Sequence, residues 1–472
     1  MGIFAAPLPE AISFTEQLDE ALRRLPEGKG LSRLQRHWIA FCITAIVVTH
    51  AICWERFERG SAGYYRAKAL SFMLHWSPIP WKKLLMASTL LLFRLHGITS
   101  GILAIDDDNR PRSKSTKRLF GVHKVIDKKT NGFVMAQNLV KLVLVTRTIT
   151  LPVGIEFYMP DPAFKAWLEN DKELKAKGVA KPRRPAMPKP RKDFPSKQKI
   201  ATILLRRFKW MASWMTVKAI VADAAYLSPF LRAECARIYP QAQLISQLRN
   251  NQLVWAGRGQ PKALKEYFKG LPARRIKLMR RGSDEVEVIM ASARLHVKSH
   301  KGRTMLIVAV KYKDDEEYRF LAAIDPTWRS LDVVKAYAFR WLVEVVIEDW
   351  KLYEGFGKMA CQQREEGARR SLCLSMLVDH FLLQTPEQLR LARAGQPLHT
   401  VGTLMNQLQV SCLLKTVEGI LASPDPTAAL QELAQQLREV VVLRPSDKHM
   451  SGKEFADLGP SPSLSRRFGK GP

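Results

Sequence analysis

A chain of 472 residues, 46% of them hydrophobic, is long and apolar enough for about two or three cores, which excludes a fibrous or fully disordered polymer. Its 75 Lys and Arg against 44 Asp and Glu leave a formal charge of +31, so a polyanion, by default nucleic acid, is a better partner than a neutral small molecule. Six cysteines, at 42, 53, 235, 361, 373 and 412, lack CxxC pairing or a His at zinc spacing, suggest no structural metal, and read as reduced core thiols of a cytosolic protein.

Residues 1–98 read as a helical amino-terminal region and a candidate DNA-binding part, with apolar faces over Leu31–Trp54 and Pro80–Leu95 and breaks at Ser77-Pro78 and Ile79-Pro80. The apolar run Ile39–Cys53 is nearer about 15 residues than the 20 of a membrane span and carries His50, so a buried helix is expected there. Pro7, Pro9, Glu10 and Glu16 interrupt any cleavable signal.

The period then changes. Ile102-Leu103-Ala104-Ile105 runs into Asp106-Asp107-Asp108, and Phe133–Val145 and Ile149–Tyr158 follow, so three strands are expected. Residues 172–199, dense in Lys, Arg and Pro around Lys181-Pro182-Arg183-Arg184-Pro185, read as an extended solvated loop, either a linker or a phosphate contact through Arg183 and Arg184. A helix bearing Ile200, Ile203, Leu204, Phe208, Met211 and Met215 leads to a strand, Val217–Ala222, that ends on Asp223. Helix Pro229–Ile238 and strand Ala242–Leu248 complete the alternation of an α/β sheet over 99–249. Residues 250–330 read as a β-rich insertion, with runs at Glu285–Met290, Leu295–Lys298 and Thr304–Tyr312. Residues 331–390 return to the core with helices at 331–353 and Glu366–Leu383, a helical region occupies 391–443, and the tail 444–472 is expected to be disordered.

Within 331–353, Tyr337, Arg340, Glu344 and Lys351 fall at offsets that place them within an arc of roughly 60° on one helix face. Trp341, Leu342, Val343, Val345, Val346, Ile347, Trp350 and Leu352 surround that stripe, so a buried helix presenting its charges to a cleft is expected, with Trp341 and Trp350 as core. Alone, such a stripe also fits a solvated face, with Glu344 merely paired to Arg340. Asp106 or Asp107 closes one strand and Asp223 another, where an α/β sheet opens into a site. Alone, Asp223 also fits a helix cap, and Asp106–Asp108 a turn. Together these carboxylates are what phosphodiester cleavage by two metal ions requires.

The spacing Tyr337-x2-Arg340-x3-Glu344-x6-Lys351 resembles the Y-R-E-K signature of DDE insertion-sequence transposases of the IS four type. Ile105-Asp106-Asp107, followed by basic residues, looks like that family's first-aspartate segment, and Val221-Ala222-Asp223-Ala224-Ala225-Tyr226 like its second; the resemblance spans about residues 100–385. It implies an RNase H-like mixed α/β sheet flanked by helices, carrying a β-rich insertion between helical amino- and carboxy-terminal regions. It also implies catalytic carboxylates Asp106 or Asp107, Asp223 and Glu344, with Asp106, Asp223 and Glu344 the favoured ligands of two Mg²⁺ that Mn²⁺ can replace. Asp108 departs from the family pattern, where threonine or serine is frequent.

Tyr337, Arg340 and Lys351, with Lys114, Lys117, Arg183 and Arg184, are the candidate phosphate contacts. The implied function is cut-and-paste transposition: nicking at an element end, then attack of the freed 3′ hydroxyl on target DNA. The implied partners are double-stranded DNA and a second copy of the chain, with no membrane and no small-molecule substrate, at the nucleoid of a bacterial cytoplasm. A nuclease of the same fold without strand transfer, and a transposase-derived DNA-binding protein that no longer cuts, are the alternatives.

Overall fold

The computed structural model describes residues 6–112, 119–126, 132–280, 284–312, 315–357, 362–441, 465–467 and 469; the tail expected to be disordered lies almost wholly outside them. Five helices come first, α1 (Pro9–Arg23), α2 (Arg33–Thr49), α3 (Trp54–Gly60), α4 (Ala67–Trp76) and α5 (Trp81–Leu95). Ser32 starts α2 with a reciprocal cap: its Oγ accepts from the Gln35 amide at 3.2 Å, and the Gln35 Oε1 accepts from the Ser32 amide at 2.9 Å. Every residue from Trp38 to Val47 is buried, which is why this helix is apolar all round. No single helix among the described residues is long and apolar enough to cross a membrane.

The strands and remaining helices follow in the order β1 (Ser100–Arg112), β2 (Val122–Ile126), β3 (Phe133–Val145), β4 (Thr150–Tyr158), α6 (Pro162–Ala176), α7 (Lys197–Met211), β5 (Thr216–Ala222), α8 (Pro229–Ile238) and β6 (Gln243–Leu248). Then come β7 (Leu253–Trp255), β8 (Lys262–Ala263), α9 (Leu264–Phe268), β9 (Arg274–Arg280), β10 (Asp284–Val297), β11 (Arg303–Tyr312) and β12 (Arg319–Ala323). The chain continues through α10 (Ser330–Ala338), α11 (Trp341–Leu352), α12 (Arg364–Leu383), α13 (Pro386–Arg393), α14 (Val401–Leu421) and α15 (Pro426–Val440).

The described strands join one mixed sheet in the order β2-β3-β1-β5-β6-β12-β11-β10-β7-β8, with β4 on β3 and β9 on β10. β1, β5 and β6 run parallel to one another. The β-rich stretch is not a separate layer: β12 pairs antiparallel with β6, Phe320 opposite Leu248, so its strands extend the core sheet. Because successive side chains in a strand face opposite sides, the sheet has two apolar faces. Leu103, Ile105 and Ile220 pack with α7 and α8; Ala104, Ala219 and Val221 pack with α10 and α11. This is the mixed α/β sheet flanked by helices that the resemblance implies.

Helix α12 joins the sheet to the amino-terminal helices and carries two buried titratable neighbours. His380 donates from Nε2 to the Pro152 carbonyl at 3.0 Å, leaving Nδ1 to accept from the Ser88 hydroxyl at 2.7 Å, the pairing of a neutral ring. Burial pulls its pKa down to about 4. Asp379 and Glu354 are pushed the other way, above the usual carboxylate range, by burial and then by neighbouring carboxylates.

A carboxyl raised in the fold stabilises it fully below the ordinary carboxylate value, near pH 4, and loses that contribution as pH rises. A histidine lowered in the fold loses its contribution as pH falls below about 6.5. Asp379→Asn should therefore gain stability relative to the wild type from pH 5 to pH 8, by up to about 1.4 kcal/mol per pH unit. Melting temperatures of the two proteins across that range check it; parallel curves would contradict it.

Candidate active site

The parallel ladder between β1 and β5 ends with Ile105 opposite Ala222, so Asp106 and Asp223 are the next residues on neighbouring strands. β1 itself does not end there, contrary to the expectation that an aspartate closes it. β3 is just as long and pairs with β1 from Ile102 opposite Val145 to Arg112 opposite Met135, so only the β5 side opens. Asp106 therefore sits on a strand held along one edge and free along the other. Burial raises its pKa to about 6, with Asp107 and Asp223 adding to the rise and Arg340 opposing it. The Asp223 side chain makes no capping hydrogen bond to the short turn Ala224–Tyr226 that follows it, so a capping role is not realised. Its carbonyl accepts from the Ser246 hydroxyl at 3.0 Å, fixing the strand end.

The pleat separates the two adjacent aspartates. Asp107 faces α7, where its Oδ1 accepts from the Tyr226 hydroxyl at 3.0 Å and its Oδ2 from Lys197 Nζ at 2.6 Å. Asp106 and Asp108 face α10 and α11. Arg340 Nη1 donates to Asp106 Oδ2 at 3.0 Å and its Nη2 to Glu344 Oε1 at 2.8 Å, while Lys351 Nζ lies 2.8 Å from Asp108 Oδ1. Tyr337 lies under the Arg340 guanidinium, 5.8 Å from ring centroid to Cζ, and burial pushes its phenol up to about 12. The stripe thus meets β1 on the face that carries Asp106.

The stripe does not lie on one continuous helix. The backbone of Phe339 and Arg340 stays in the right-handed helical region, but Arg340, Leu342 and Val343 bond to carbonyls three residues back instead of four. That tightened turn divides α10 from α11 with no Pro or Gly, which is why the sequence pattern runs straight through it. The burial is also one-sided. Val343, Val346, Ile347 and Trp350 are buried, but Leu352 is 54% exposed, Trp341 is only half-buried, and Glu344 is exposed. Trp341 is thus not a core residue, since the α11 face it occupies is only partly covered.

Carboxylate oxygens are the donors a hard divalent ion takes, and a partly buried aspartate beside a second one favours a cation. The placement is less complete than the donor chemistry. Arg340 stands between Asp106 and Glu344, and among the described residues no three Asp, Glu, His or Cys side chains converge where an ion could be held.

The basic stretch differs from the open loop expected. Residues 172–176 belong to α6 and 197–199 to α7, and the segment between is tied back: Arg184 pairs with Asp171 at 2.9 Å, and Trp167 Nε1 donates to the Pro185 carbonyl at 2.8 Å. Arg191 clasps Asp161 through two nitrogens. Asp171 on α6 and Asp161 at its N-terminal cap give the basic residues partners within the fold, so Arg184 is engaged, whereas Arg183 is exposed. Lys114 and Lys117 lie outside the described residues. Three residues that the sequence did not single out as site members belong to the surroundings: Tyr226 and Lys197 on Asp107, and Lys141, whose buried ammonium lies 3.6 Å from Asp108 Oδ2. A lone lysine in the otherwise apolar run Leu139–Val145 of β3 was the available signal for the last.

The family described as DDE superfamily endonuclease matches residues 62–306, just over half of the chain. The matched span contains Asp106 and Asp223 and ends before the stripe. No curated protein matches the sequence. Among solved structures, a cryo-EM structure titled as a piggyBac transposase synaptic complex with hairpin DNA aligns over 98% of this chain and 90% of its own. It does so at 11% identity and a TM-score of 0.35, too distant to bear on individual residues.

Proposed function

This chain belongs to the DDE superfamily endonucleases, and from that premise we propose that it is a transposase of the IS four type, which cuts DNA at element ends and joins the freed 3′ hydroxyl to target DNA. The observation that carries the proposal is the adjacency of Asp106 and Asp223 past the last parallel pair, on a site faced by Arg340, Glu344 and Lys351. Enzymes of the superfamily use divalent metals. Asp106, Asp223 and Glu344 are the residues we assign to two Mg²⁺, on condition that Arg340 leaves the space between Asp106 and Glu344.

The rest of the stripe has a role on the DNA. Arg340 offers a planar fork to a phosphate and Lys351 a point charge, so together they fix a phosphodiester against the carboxylates in line for attack. Tyr337, held under Arg340, limits where that fork can swing. A charge of +31 suits a protein that holds two DNA segments at once, and its affinity should fall steeply with salt. We assign end recognition to the amino-terminal helices, whose core is continuous with α12 and α14, and infer a homodimer that bridges two ends at the nucleoid of a bacterial cytoplasm.

Strand transfer is the step that separates this reading from its rivals. End DNA with a pre-cut 3′ hydroxyl, incubated with the protein, Mg²⁺ and a supercoiled plasmid, should yield joined products that vanish when the terminus is 3′-deoxy. Nicking without joining would make the protein a nuclease only, and binding without nicking a DNA-binding protein.

A further inference from the structure

We propose that Asp108 and Lys141 act together as positioning residues for Lys351, holding its ammonium toward bound phosphate while leaving the cluster net positive; this rests on the reading of the site as DNA-binding. The Asp108 carboxylate is doubly engaged. Lys351 Nζ lies 2.8 Å from its Oδ1 and 2.7 Å from its Oδ2, and Lys141 Nζ lies 3.6 Å from Oδ2 on the inner side. Lys141 is opposite Asp106 in the β1–β3 register, so its side chain rises on the face that carries Asp106 and Asp108. Only 3% of that side chain is exposed.

A single Asp–Lys pair would already balance charge, and a lysine buried beneath it needs another reason. An aspartate that tethers Lys351 also cancels its field, which weakens the attraction for phosphate. Lys141 restores one positive charge without standing in the DNA's way. Its lost hydration is partly replaced by aromatic faces, with Nζ 5.0 Å from the Trp350 ring centroid and 5.4 Å from that of Phe356. Burial draws this ammonium down to about 7 while Asp108 opposes the fall, and a phosphate arriving at Lys351 favours the charged form. With Lys141 in its charged form the three residues sum to one positive charge, its direction set by the carboxylate that Lys351 and Lys141 share. Asp108, where threonine or serine is frequent in the resembling family, gains a function together with Lys141.

The test uses the full chain, a pre-cut end duplex of element DNA, binding isotherms across a salt series, and single-turnover cleavage. Lys141→Met leaves Asp108 to neutralise Lys351, and should weaken binding by about tenfold and reduce the salt slope by about one. Lys141→Met with Asp108→Asn frees Lys351 of its counter-charge, and should recover binding to within about twofold of wild type while cleavage stays about tenfold slow for want of the tether. Asp108→Asn alone should bind more tightly than wild type and still cut slowly, which keeps the proposal testable if Lys141→Met fails to fold. Equal weakness of the single and double variants, or looser binding by Asp108→Asn, would overturn it, because a merely structural cluster gives no charge-dependent rescue. Lys351→Met separates the two levels: if it binds end DNA like wild type, the DNA-binding reading of the site fails as well.

Discussion

Asp106→Asn should lower Mg²⁺-dependent cleavage of end DNA by about three orders of magnitude, while Asp107→Asn lowers it far less and costs mainly stability. The two residues are neighbours in sequence, yet the pleat sends their side chains to opposite faces of β1. Asp106 is partly buried beside Asp223 on the face of Arg340 and Glu344, and burial, with Asp107 and Asp223 adding to it and Arg340 opposing it, raises its pKa. Asp107 has both oxygens committed, one to Tyr226 and one to Lys197. Removing its charge leaves Lys197 without its carboxylate, a loss on the order of 1–3 kcal/mol at a partly buried pair. Single-turnover cleavage and thermal melts of both variants measure the contrast, and a larger cleavage defect in Asp107→Asn would reverse the assignment.

Arg340→Met should bind Mn²⁺ about tenfold more tightly than wild type in the absence of DNA, and should cleave end DNA about a hundredfold more slowly. The guanidinium bridges Asp106 and Glu344, so a cation approaching those oxygens must displace a charge-assisted hydrogen bond on each. The bridge is internal and needs no DNA. When a phosphate offers the same planar fork a bidentate partner, the guanidinium gains an alternative and the carboxylates lose their screen. On the proposed reading, metal uptake and DNA engagement would then be coupled through one side chain. Lys351→Met is the control for charge alone, because Lys351 contacts Asp108 and not the bridge. Electron paramagnetic resonance of Mn²⁺ titrated into the three proteins reads the affinities directly. If wild type and Arg340→Met bind equally without DNA, the bridge does not compete with metal.

Several of the elements that carry the candidate site were legible in the sequence, and what was missed has physical causes. The strand leading to Asp223 and helix Pro229–Ile238 carry clear local patterns and stand where the sequence put them. The shared face of Arg340 and Lys351 survives the tightened turn at 339–340, because backbone angles there remain helical while only the hydrogen bonds change. The length of β1 was hidden because a partner strand decides it, and β3 lies more than twenty residues away in sequence. Choosing between Asp106 and Asp107 requires knowing which face of β1 meets α11, and both faces are apolar on the preceding residues Leu103, Ala104 and Ile105. The continuity of the β-rich stretch with the core sheet rests on one long-range pairing, β6 with β12, that no local pattern announces. Lys141 was missed for a related reason: a charge inside a buried strand is intelligible only once its partner on the next strand is known.

On the proposed reading, carboxylates brought together from β1, β5 and α11 cut DNA. The most direct measurement of this is cleavage of an end-containing duplex, with and without Mg²⁺, by wild type, Asp223→Ala and Glu344→Gln, with binding of the same duplex measured alongside. Wild type should give Mg²⁺-dependent nicks bearing 3′ hydroxyls, and both variants should lose cleavage while retaining binding. Unchanged cleavage by either variant, with binding intact, would contradict that reading.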